Sequence, residues 1–83
     1  MAGRRWEIVW SHAGLWALRR IPWRDACDVD AAVLRFAATG EGALERISDD
    51  PVGAVLAAPP YSIRLTLDPI DQLCTVWRIY RRR

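Results

Sequence analysis

The stretch Tyr61-Ser62-Ile63-Arg64-Leu65-Thr66-Leu67 alternates apolar and polar side chains without a break. That period of two belongs to a strand with one face buried. Pro59-Pro60 introduces it, and Asp68-Pro69-Ile70-Asp71 follows it with turn-forming residues. Leu73 to Arg81 is again rich in strand formers, so the spacing predicts an antiparallel hairpin. A five-residue loop over 68–72 pairs Leu67 with Leu73. Odd positions then share an apolar face: Tyr61, Ile63, Leu65, Leu67, Leu73, Thr75, Trp77 and Ile79. Even positions form an open face of Ser62, Arg64, Thr66, Cys74, Val76, Arg78, Tyr80 and Arg82. A loop one residue shorter would set Arg78 and Tyr80 beside Ile63 and bury charge, so the longer loop is expected.

The apolar face needs a cover, and the first half of the chain supplies it. Trp6 to Trp10 reads as a first strand, with Ser11 behind it as a good N-cap. Ser11 to Arg20 is helical, with Gly14, Leu15, Leu18 and Ile21 on one stripe and Arg19 and Arg20 at the negative end of the dipole. Pro22 stops this helix. A second helix runs from Trp23 to Thr39 with Ala26, Val29, Val33, Phe36 and Ala37 on its inner stripe and Gly40 as its stop. The short turn between them makes an antiparallel helical hairpin. Glu41 to Pro51 is polar and turn-rich, and Val52 to Leu56 reads as a short strand. The fold class is α+β: an N-terminal strand, a two-helix antiparallel hairpin, then a mostly antiparallel sheet of three to four strands. One domain is expected over residues 1–83.

Composition narrows the function. Hydrophobic residues make up 52% of the chain and five are tryptophan, enough to build a core in so short a chain. All twelve basic residues are arginine, and four of them fall in Arg78-Ile79-Tyr80-Arg81-Arg82-Arg83. Residues 1–77 hold eight arginines against ten acids, so a nearly neutral body ends in a basic segment. Two cysteines and one histidine give no metal-binding spacing, so no metal and no cofactor is expected. Cys27 and Cys74 read as small buried side chains. No apolar run is long enough to cross a membrane, and a cytoplasmic protein with reduced thiols is expected. The five tryptophans read mainly as core, and the apolar side of Leu15–Ile21 as a groove for a partner helix.

Four segments in order carry a resemblance: Trp6-Glu7-Ile8-Val9-Trp10-Ser11, Leu15-Trp16-Ala17-Leu18-Arg19-Arg20-Ile21-Pro22, Tyr61-Ser62-Ile63-Arg64-Leu65, and Val76-Trp77-Arg78-Ile79-Tyr80-Arg81-Arg82. Together they resemble the RelE/ParE superfamily of type II toxins over nearly the whole chain. The resemblance implies a toxin neutralised by a cognate antitoxin. It further implies either a ribosome-dependent mRNA endonuclease or an inhibitor of DNA gyrase. For the endonuclease, cations must grip the scissile phosphate, and other groups must move protons at the 2′-hydroxyl and the leaving oxygen. Arginine suits the first task, because its planar fork holds phosphate oxygens in pairs.

On this resemblance Arg64, Arg82 and Tyr80 are the expected catalytic residues, with Arg78, Arg81 and Arg83 binding RNA. The partners would be the antitoxin, the ribosome and mRNA. No lysine is present, and His12 stands at a helix start away from the arginine face. That leaves no plain general base, so gyrase inhibition remains the alternative and a non-toxic interaction domain the second alternative.

Overall fold

A computed structural model of the chain describes residues 6–82. Its elements are β1 (Glu7–Trp10), α1 (His12–Arg20), α2 (Trp23–Thr39), β2 (Ala43–Arg46), β3 (Gly53–Ala58), β4 (Tyr61–Asp68) and β5 (Leu73–Arg81). The α+β class holds, but the sheet has five strands rather than three or four, in the order β1-β5-β4-β3-β2. β1 runs parallel to β5, and the other neighbours are antiparallel. The additional strand is β2, which forms inside the segment expected to be turns. Its sequence Ala-Leu-Glu-Arg has no β-branched residue, so the ladder with β3 rather than propensity makes it a strand.

Helix boundaries follow local chemistry. The Ser11 hydroxyl accepts from the Gly14 amide at 2.9 Å and so caps α1. α2 ends at Gly40, which takes φ 78° and returns its amide to the Phe36 carbonyl at 2.7 Å. α2 buries Val29, Val33, Phe36 and Ala37. The first three join a core made with Ala54, Leu56, Tyr61, Ile63, Leu65, Leu67, Cys74 and Val76 of the sheet. Each fully buried aliphatic side chain stabilises the fold by about 1.5–3 kcal/mol. Cys74 is buried as expected, whereas Cys27 is exposed on α2.

The register of β4 and β5 corrects the expectation. Leu67 faces Cys74 and Leu65 faces Val76, so the loop is the shorter one and spans residues 69–72. Asp68 Oδ1 shapes it by accepting from the Ile70 and Asp71 amides at 3.0 and 3.3 Å. A bulge follows: the ladder shifts between Arg64 and Leu65, and beyond it Arg64 faces Arg78 and Ile63 faces Ile79. Trp77 is the residue without a partner. The bulge removes the objection to the short loop, because Cys74 and Val76 enter the core while Arg78 and Tyr80 still point away from it. Trp77 therefore leaves the expected apolar face and is 44% exposed.

Candidate functional site

With the helices on one face, the open face of the sheet is defined by the ladder. Glu45 on β2 pairs with Val55 on β3, Val55 with Arg64 on β4, and Arg64 with Arg78 on β5. Strands lie about 4.8 Å apart, so this row sets the Glu45 backbone about 10 Å from that of Arg64, with the second arginine one strand further on. The next row is Ala43, Ala57, Ser62 and Tyr80. Arg82 follows β5, its amide held by the Pro60 carbonyl at 2.7 Å. Its side chain lines a depression with Ala43, Glu45, Val55 and Ala57. Arg64, Arg78, Arg82 and Tyr80 thus share one face, as expected from the alternation.

Two arginines directly opposite each other repel, so an Arg64–Arg78 pair favours an anion between them. Asp50 answers part of that charge, with Oδ2 3.7 Å from an Arg64 nitrogen. The turn before β3 holds this carboxylate, as the Val52 amide donates to Asp50 Oδ1 at 3.1 Å. Gly53 leaves it room, since a Cβ there would stand 2.5 Å from Asp50 Oδ2. A partly exposed ion pair of this length contributes about 0–1 kcal/mol, little enough for a phosphate to displace it. Among the described residues Arg78, Arg82 and Glu45 make no ion pair.

Arg81 departs from the expectation. It pairs with Tyr61, on the helix side of the sheet, and its guanidinium lies 5.8 Å from the Tyr61 ring centre. The Tyr61 hydroxyl donates to Asp25 Oδ2 at 2.7 Å. That bond, then burial, raises the phenol's pKa, while Arg81 pulls it down. Arg81 therefore ties β5 to Tyr61 and is not one of the open-face arginines. Arg83 lies outside the described residues.

Two open-face residues escaped the sequence. Glu45 is hidden there because its segment looks like a loop; only the pairing of β2 with β3 turns its side chain to the arginine side. Trp77 sits in a run of apolar residues that reads as core, and a one-residue bulge leaves no mark in the sequence. Its indole N–H donates to Thr66 Oγ1 at 2.8 Å. Trp16 and Trp23, at 56% and 71% exposure, also depart from the expected core role. Trp16 borders a groove with His12, Ala13, Ala17, Arg20, Ile21 and Ile79, on the helix side of the molecule.

Comparison of the sequence with known protein families and with curated proteins returns no match. Comparison of the structure with solved structures finds the toxin–antitoxin complex RelBE2 from Mycobacterium tuberculosis. The TM-score is 0.79 over 95% of this chain and 93% of the matched chain, at 12% identity. This chain shares its fold with a chain of that complex. At so low an identity the likeness lies in the framework, and the side chains on the open face are judged by their own chemistry. Among the described residues, no group of three or more His, Cys, Asp or Glu stands ready to hold a metal. No described helix is long and apolar enough to cross a membrane.

Proposed function

We propose that this protein is the toxin of a toxin–antitoxin pair and that its open face cleaves RNA, as a RelE-like ribosome-dependent mRNA endonuclease. The observation that carries this reading is the row Glu45–Val55–Arg64–Arg78 with Arg82 beside it. A carboxylate at one end supplies the proton acceptor that the sequence lacked, and the arginines supply fixed positive charge for the phosphate. In this scheme the 2′-oxygen attacks the adjacent phosphorus and its proton passes to Glu45. The bond from phosphorus to the 5′-oxygen breaks, and that oxygen takes a proton from the Tyr80 hydroxyl. Arg64, Arg78 and Arg82 hold the phosphate as charge builds on its oxygens. The antitoxin docks on the α1 groove around Trp16, whose exposed apolar surface is unusual for a chain without a partner.

One observation favours gyrase inhibition instead: the chain's histidine, His12, borders the α1 groove and not the arginine face. Inducible expression with parallel labelling of protein and DNA synthesis separates the readings. Early loss of protein synthesis with cut mRNA is expected. Early loss of DNA synthesis with trapped gyrase would replace the nuclease with the gyrase reading. Undisturbed growth would leave a non-toxic interaction domain.

A further inference from the structure

The short loop turns a large aromatic ring, Trp77, onto the charged face, and the bulge in β5 leaves it there without a cross-strand partner. We infer that Trp77 is a stacking platform for an unpaired nucleobase, with the adjoining phosphate held by Arg64 and Arg78. This rests on the reading of the open face as RNA-binding. Three observations carry it beyond that reading.

The first is position. Trp77 has no cross-strand partner, and it lines one depression of about 440 Å³ with Arg64, Thr66 and Arg78. That volume lies within the range of small-molecule sites. The second is order. The hydrogen bond to Thr66 Oγ1 fixes the indole before any ligand arrives, so little side-chain freedom is lost on binding. The Thr66 hydroxyl keeps its own proton to offer to a base edge. The third is charge. A half-exposed ring beside two guanidiniums suits a ligand with both a flat aromatic face and an anionic group, which is the make-up of a nucleotide. A phosphate clamp alone has no use for the ring, and a protein core would have kept it inside.

The test is titration of two fluorescently labelled probes: a single-stranded hexauridylate, and an abasic ribose-phosphate chain of the same length and charge. The wild-type protein is expected to bind the base-bearing probe more tightly. Trp77→Ala should lose on the order of 10- to 100-fold in affinity for it and keep its affinity for the abasic chain. Trp77→Phe should recover most of the loss, which also shows that the effect is not one of folding. Arg64→Ala should weaken both probes together. Equal binding of both probes by the wild type, or an unchanged Trp77→Ala variant, overturns the platform and leaves the arginine face standing. Failure of the wild type to bind either probe overturns the platform, whereas the arginine face stands or falls by cleavage on ribosomes. Binding of the expected pattern without any RNA cleavage on ribosomes would uphold the platform while removing the nuclease.

Discussion

Gly14 is the point at which α1 touches β5 most closely, and Gly14→Ala tests that contact. A Cβ built there would stand 2.3 Å from the Val76 carbonyl oxygen and 3.1 Å from its carbon, where ordinary contact begins near 3.4 Å. The obstacle is sheet backbone between two paired strands, so it is α1 that must lift, by about 1 Å. Overpacking of this kind costs about 1–3 kcal/mol, and a rigid backbone partner puts it toward the upper end. Lifting α1 also strains the Ser11 amide bond to the same Val76 oxygen, 3.0 Å long and worth about 1 kcal/mol. Against this, alanine in a helix gains about 0.8–1.0 kcal/mol over glycine. The net is a loss of about 2–3 kcal/mol. For a domain of this size each kcal/mol moves Tm by about 4–8 °C, so a fall on the order of 10–20 °C is expected in a thermal melt followed by circular dichroism. An unchanged Tm, or the rise that helix propensity alone would bring, refutes the close docking of α1 on β5.

Removing the α1 cap with Ser11→Ala should lower stability by about 1 kcal/mol in a urea titration with an unchanged slope. Native protein should react quickly with one equivalent of a thiol reagent, at exposed Cys27, and with a second only after unfolding releases Cys74. Burial pushes the Cys74 thiol from 9.0 up to about 11. Unfolding frees that thiol to ionise near 9.0, so its contribution to stability is intact below that pH and is lost as pH rises towards 11. The loss is about 2–3 kcal/mol relative to Cys74→Ala, read as a steeper alkaline fall in denaturation midpoint for the wild type.

Much of the framework is written in local signals. The span of α2 from Trp23 to Thr39 is legible because Pro22 and Gly40 bracket it and the Val29–Val33–Phe36 stripe is continuous. β5 is legible in full because strand formers fill it from Leu73 to Arg81. What was hidden depends on non-local pairing. β2 is a strand only because β3 lies beside it, and with it went Glu45. The hairpin looked like a choice between two registers; the shorter loop holds as far as Leu65 and Val76, and the bulge at Trp77 then shifts the ladder by one residue into a register that neither choice contained. The short loop makes Cys74 and Val76 core and turns Trp77 to the surface, and the bulge keeps Arg78 and Tyr80 on that same outer face. The site inherits this division: Arg64, Arg78, Arg82 and Tyr80 follow from alternation, whereas Glu45, Trp77 and the exclusion of Arg81 need the folded sheet.

The most direct measurement is cleavage of mRNA on programmed ribosomes by the wild type, by Glu45→Gln and by the Arg64→Ala, Arg82→Ala double variant, with each variant's fold verified by circular dichroism. Cleavage by the wild type, a loss on the order of 100-fold or more with Glu45→Gln, and no detectable cleavage by the double variant are predicted, since a positioned general base alone contributes about 10²–10⁴-fold. A double variant that cuts mRNA as fast as the wild type would contradict the assignment of the open sheet face as the working surface.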